Sequence, residues 1–274
     1  MRLIAHQACV KNISMTKPWH TLENQTFWVT GGAGHLGSPI TAELDRAGAK
    51  VICIDLPGQA ERLVRAEKLT RTIPLALDIN DSANLPALVD QLISEHGLPD
   101  GVAHLATRSS RGLHLKDLPL AEFQKTMDGA VSPSFELGRH LAERMKPRGS
   151  GSIVFFSSMY GMVAPDPRIY LPPMIPNPID YGAAKAALLQ LTRYFAVHYG
   201  PAGIRFNCVT PGPFPKPAGQ GGDSAFVARL AGKTALNRIG RNTEIVGPTL
   251  FLLSDSASYV TGHSLVVDGG WTAH

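Results

Sequence analysis

Short apolar runs alternate along this chain with longer stretches in which apolar residues recur every three to four positions. Phe27 to Thr30 is a run of strand length without polar alternation, the pattern of a strand covered on both faces. The periodicity then predicts a helix over 38–47 closed by Gly48, and a second strand over 51–54 ending in Asp55. A helix over 59–69 follows, then a strand over 72–77 ending in Asp78-Ile79, a helix over 84–95 and a strand over 102–105. One long helix is expected over 120–145, a strand over 152–157, a helix from Tyr181 to about Tyr199, and strands over 204–210 and 264–267. Strands alternating with helices in this way pair in parallel, with helices on both faces. The fold class is therefore α/β: a single doubly wound parallel sheet of about seven strands.

Three stretches depart from the rhythm. Residues 1–22 show neither period and lack the apolar core of a signal peptide. They read as an N-terminal arm, or as a start placed upstream of Met15, with the domain proper over 23–274. Residues 161–180 hold six prolines, which forbid regular structure and stiffen the loop. Tyr170, Leu171, Met174 and Ile175 there are candidates for a substrate wall or for contact with a second subunit. Residues 213–235 begin Pro-rich, pass through Gly219, Gly221 and Gly222, and end in a short amphipathic helix. That composition suits a lid.

Between the first strand and first helix, Gly31, Gly34 and Gly37 leave backbone N–H groups and a helix N-terminus open to a pyrophosphate. Asp55 ends the second strand about 20 residues on, where a carboxylate binds a ribose diol and repels a 2′-phosphate. Neither the turn nor Leu56 adds a cation to offset that charge, so NAD is expected over NADP. Downstream, Tyr181 and Lys185 stand four apart and share a helix face. A cation beside a phenol favours phenolate and draws the tyrosine towards acid/base duty. Ser158, at the end of the fifth strand, would hold the reacting oxygen.

Taken together, TGGAGHLG at 30–37, Asp55, LDI at 77–79, SSMYG at 157–161, YGAAK at 181–185, NCVTPG at 207–212 and the terminal VVDGGW make the chain similar to the short-chain dehydrogenases/reductases, from about Leu22 onward. The resemblance implies a Rossmann fold with one active site at the carboxyl ends of the strands and Ser158, Tyr181 and Lys185 as catalytic residues. Lys185 would also bond the nicotinamide ribose. Cofactor contacts are expected from Gly31, Gly34, His35, Leu36, Gly37, Asp55, Asp78, Ile79, Leu105, Ala106, Thr107, Tyr181, Lys185, Pro211, Gly212 and Phe214. The glycine turn and HLAT at 104–107 are closer to the family's extended branch, whereas the C-terminal half follows the compact one. Where the family carries a helix asparagine in its proton relay this chain has Ala130, leaving Ser132, Ser134 or backbone freed by Pro133 as substitutes. The resemblance further implies a homotetramer in which the helices ending near Met145 and Tyr199 meet symmetry mates. The stripe of Leu188, Leu191 and Phe195 contributes to that contact, and Trp271 is a candidate to seal a second interface.

Composition narrows the rest. Hydrophobic residues make up 44% of 274, with no run long enough to span a bilayer. Cys9, Cys53 and Cys208 suggest neither a disulfide framework nor a zinc site. A net charge of +4 is scattered, and its densest patch, 108–116, lacks the aromatics of a nucleic-acid site. Ten histidines show no metal spacing. The expectation is a cytoplasmic, NAD-dependent enzyme interconverting a small-molecule secondary alcohol and ketone, with a sugar, polyol or sugar derivative as substrate. A nucleotide-sugar epimerase or dehydratase with tightly held NAD, and a non-catalytic NAD-binding protein, are the alternatives.

Overall fold

The computed structural model describes residues 22–80, 83–108, 112–218 and 220–273; the expected arm and Cys9 lie outside them. Seven parallel strands form one sheet in the order β3-β2-β1-β4-β5-β6-β7. They are β1 (Thr26–Thr30), β2 (Lys50–Asp55), β3 (Thr72–Ala76), β4 (Gly101–His104), β5 (Gly151–Phe156), β6 (Ile204–Pro211) and β7 (Ser264–Val267). The order reverses direction between β1 and β4, and a crevice opens at such a switch point beyond the carboxyl ends of the strands.

Alternate strand residues divide between two cores, as a period of two requires. Trp28, Ile52, Ile54, Val102, Ile153, Phe155 and Phe206 pack with α3 (Leu85–His96), α5 (Ser132–Met145) and α6 (Ile179–Tyr199). Phe27, Val29, Val51, Ala103, Val154, Phe156 and Val209 pack on the other face with α1 (Gly37–Arg46) and α8 (Val246–Leu253). The remaining helices are α2 (Gln59–Glu67), α4 (Leu120–Ala130) and α7 (Ser224–Lys233). The side chain of Asp223 caps α7 by accepting from the N–H groups of Ala225 and Phe226, both at 3.0 Å.

The single long helix expected over 120–145 is two, α4 and α5, parted at Val131. Pro133 has no N–H to return to the Gly129 carbonyl four residues back. That carbonyl instead accepts from Arg108 N–H at 3.0 Å, so the break is satisfied rather than exposed. α8 was not expected: VGPTLFLL is apolar on every side and shows no helical period.

Candidate active site at the carboxyl ends of the strands

The glycine turn leaves β1 with Gly31 at φ +68°, a left-handed conformation in which a Cβ would also lie 2.9 Å from Ala106 N. Gly31 N–H is held by the Ile54 carbonyl at 2.8 Å. A Cβ on Gly37 would collide with the Gly31 carbonyl, so α1 seats directly on the turn. Leu36, at the head of α1, contributes no side-chain cap. Ser38 N–H in the first turn is taken by the Gly34 carbonyl at 2.9 Å, while the positive end of the helix dipole faces the crevice.

Asp55 sits one strand over, accepting from Ala33 N–H and Leu56 N–H, each at 2.8 Å. One carboxylate oxygen serves each bond, and each retains a lone pair for a further donor. The arrangement fits a dinucleotide: an uncapped helix N-terminus where a diphosphate would lie, and a fixed acid where a ribose diol would. Thr107 Oγ1, buried on the same wall without a partner among the described residues, is a further polar group awaiting one.

Ser158, Tyr181 and Lys185 meet beyond β5. The Ser158 hydroxyl lies near enough to the Tyr181 phenol to pull its pKa down, and the Tyr160 N–H donates to Ser158 Oγ at 3.2 Å, fixing its rotamer. Lys185 Nζ lies 5.7 Å from the centroid of the Tyr181 ring and donates to the Phe156 carbonyl at 2.9 Å. Burial strips water from the ammonium and lowers its pKa to about 8. The expected depression of the Tyr181 pKa by Lys185 is not what the geometry gives. Burial pushes the phenol up, and Ser158 is what pulls it down. The ammonium is aimed at the strand carbonyl instead.

The relay substitutes also fall differently from expectation. The carbonyl freed by Pro133 is taken by Arg108, and Ser134 Oγ donates to the Ala130 carbonyl at 2.8 Å. Ser134 Oγ also sits 3.1 Å from His104 Nε2, whose Nδ1 is 2.7 Å from Thr30 Oγ1. His104 is buried with its pKa lowered to about 3 by desolvation and, next, by the charge of Lys185. It is a neutral structural link between β1, β4 and α5.

All the residues expected to contact the cofactor, together with Ser158, line one cleft of about 430 Å³. Sequence reasoning missed Phe156, Ser157 and Lys216 on the same walls. Ser157 Oγ donates to the Lys185 carbonyl at 2.7 Å; the doubled serine at a strand end was its signal. Lys216 is the lone cation in PGPFPKP.

The segment 161–180 packs on α7 of its own chain. Tyr160, Ile169, Tyr170, Phe226, Leu230 and Trp271 form a buried cluster against which Met174 and Tyr181 pack. The Tyr160 and Tyr170 hydroxyls are 2.5 Å apart. Trp271 is therefore an internal wall residue and not free to seal a subunit interface. Leu188 and Phe195, assigned in sequence to an intersubunit stripe, are likewise buried within the domain. Asp166 pairs with Arg168 at 2.7 Å.

Comparison with known proteins agrees with this geometry. A family model described as enoyl-(acyl carrier protein) reductase matches residues 32–272. The cis-4-hydroxycyclohexanecarboxylate dehydrogenase of Sinomonas cyclohexanicum is 32% identical over 247 residues, covering 89% of this chain and 95% of the relative. A short-chain dehydrogenase from Leptospira borgpetersenii, solved with bound NAD+, superposes with a TM-score of 0.81 at 29% identity, over 93% of this chain and 96% of its own. A gluconate 5-dehydrogenase from Burkholderia cenocepacia, solved with NADP and tartrate, gives a TM-score of 0.82 at 25% identity, over 93% and 98%. The chain belongs to the short-chain dehydrogenase/reductase family. Members of that family are oxidoreductases that use a nicotinamide cofactor.

Proposed function

We propose that this protein is an NAD-dependent oxidoreductase that interconverts a secondary alcohol and its ketone on a ring-bearing or polyol substrate. One observation carries the reading: Ser158, Tyr181 and Lys185 converge beyond β5 on the cleft that Asp55 borders beyond β2. Gly31, Gly34, Gly37 and the N-terminus of α1 would hold the diphosphate, and Asp55 the adenosine ribose. When bound there, the nicotinamide supplies the hydride chemistry.

The chain's own groups handle the proton and the oxygen. The raised pKa keeps the Tyr181 phenol protonated, the form that donates to a ketone oxygen during reduction. In the reverse direction the phenolate accepts the alcohol proton, helped by the nearby Ser158 hydroxyl, which favours the ionised phenol. Ser158 Oγ steadies the substrate oxygen as charge grows on it. Lys185, its ammonium held by the Phe156 carbonyl at 2.9 Å, would bond the nicotinamide ribose.

The aromatic cluster of Tyr160, Tyr170, Phe226 and Trp271 is buried behind Met174 and Tyr181, so it braces the substrate side of the cleft from behind, and the support for a ring-bearing or polyol substrate comes from the relatives. The Sinomonas relative acts on a hydroxylated carbocycle and the Burkholderia neighbour on a sugar acid. Hydroxylated carbocycles therefore join the sugars and polyols expected from the sequence.

The test is a panel of cyclic alcohols, sugars and polyols with NAD, following NADH absorbance. Net NADH formation is expected, which a closed-cycle epimerase would not give. Tyr181→Phe should cut turnover by about a hundredfold or more while NAD affinity stays unchanged. Near-full activity of that variant would refute the assignment.

A further inference from the structure

Near the glycine turn, on the cleft it shares with the loop after β6, stands a cation that none of the roles above employs. Lys216, on the loop after β6, lines the cleft with Gly34, His35 and Leu36. Among the described residues its ammonium forms neither an ion pair nor a hydrogen bond, unlike Lys233, Arg238 and Arg241 near it in sequence. Its charge is felt at the turn: burial first, and then repulsion from Lys216, holds the His35 imidazole below its ordinary range.

The backbone fixes where this cation stands. Gly240 N–H donates to the Pro213 carbonyl and Gly221 N–H to the Lys216 carbonyl, both at 3.0 Å. A Cβ on Gly221 would lie 2.6 Å from that same carbonyl, so only glycine admits the close approach. Two residues beyond Gly240, Asn242 Nδ2 donates to the His35 carbonyl at 3.1 Å. Residues 240–242 thus tie the Lys216 loop and the glycine turn to each other.

We propose that Lys216 is a direct ligand of the dinucleotide's diphosphate, gripping it from the loop after β6 while the N-terminus of α1 holds it from the turn. This rests on the dinucleotide reading above. N–H donors on the α1 side can satisfy only the oxygens facing them. A compact ammonium on a flexible stem suits the oxygens that face outward.

The experiment is calorimetric titration of the full chain with NAD and, separately, with adenosine, at low and high salt. Lys216 is exposed, so its substitution leaves the core untouched. Lys216→Met should weaken NAD binding about three- to tenfold and reduce its salt sensitivity, since one screened charge pair is gone. Adenosine, which has no diphosphate, should bind both proteins alike, and Lys216→Arg should restore most of the NAD affinity. Unchanged NAD affinity and salt dependence in Lys216→Met would overturn the inference and leave the cofactor reading standing. An equal loss for adenosine and NAD would overturn it too, by placing the effect elsewhere. Failure of the unaltered protein to bind NAD would overturn both.

Discussion

Arg229 on α7 donates through Nε to the Ile169 carbonyl at 2.7 Å, across a sequence separation of 60 residues. The Tyr170 and Phe226 rings lie 5.5 Å apart beside it, and Lys233 reaches Asp166 at 3.4 Å. The proline-rich loop and α7 are therefore stitched into one wall. Arg229→Met keeps the stem but leaves the Ile169 carbonyl without its charged donor. About 1–2 kcal/mol of stability should be lost. Substrate KM should rise while NAD affinity holds, a split that urea denaturation, steady-state kinetics and calorimetry together would read. A rise in NAD dissociation constant matching that in KM would contradict it.

Asp55 should set cofactor choice. With both carboxylate oxygens held by backbone N–H groups, the charge cannot swing away from a 2′-phosphate. NAD should bind at least about tenfold more tightly than NADP, roughly 1.4 kcal/mol. Asp55→Asn should narrow that gap by removing the charge while keeping an acceptor. Calorimetry giving equal or tighter NADP binding to the unaltered protein would sink the idea.

Lys185 makes a signed prediction about pH. Its pKa falls from 10.5 to about 8 on folding. Between those values the unfolded chain holds a proton that the folded chain has shed, so this group makes stability rise with pH across the window. Above 10.5 its titration costs the fold nothing; as pH falls through 8 the penalty of burying the charge is complete, on the order of 3 kcal/mol. Lys185→Met removes this dependence. Relative to the unaltered protein it should be more favoured at about pH 7 than at about pH 10. Urea midpoints at the two pH values, shifted equally for both proteins, would contradict the assignment.

Assembly should follow the residues that the domain leaves uncovered. Phe135 on α5 and Tyr194 and Val197 on α6 are 39%, 66% and 80% exposed, and Leu191 lies in a groove with Phe135 and Val131. Apolar side chains concentrated on two neighbouring helices favour a symmetric contact with a second copy. A homotetramer is expected, with a dimer as its half. Val197→Glu should shift the light-scattering mass downward. A mass near 29.4 kDa for the unaltered protein at micromolar concentration would exclude assembly.

What could be read from the sequence was what neighbours in sequence decide. The glycine turn, Asp55 and the Tyr181-Lys185 pair each lie within one βα unit or one helical turn, so their spacing dictates their placement. Contacts between distant segments were not legible. Nothing near Arg229 announces Ile169, and Trp271 looked free because its partners, Tyr160 and Phe226, come from other loops and helices. Leu188 and Phe195 look the same in sequence as Val197, yet only the last faces outward, because helix phase against the sheet settles the matter. Pro133 pointed to a bend, but only the structure shows Arg108 receiving the released carbonyl.

Lys185 is attached to β5 twice, its ammonium to the Phe156 carbonyl and its own carbonyl to Ser157 Oγ. Strand end and helix are riveted at a single residue, from opposite ends of that residue. Lys185 is thereby pinned to the sheet, and on the proposed function adjustment to a substrate falls to side chains of the loop and α7. On that reading substrate choice can be altered only at residues of 161–180 and 224–233 that stand clear of the phenol, because Tyr181 itself packs on the cluster the two segments share.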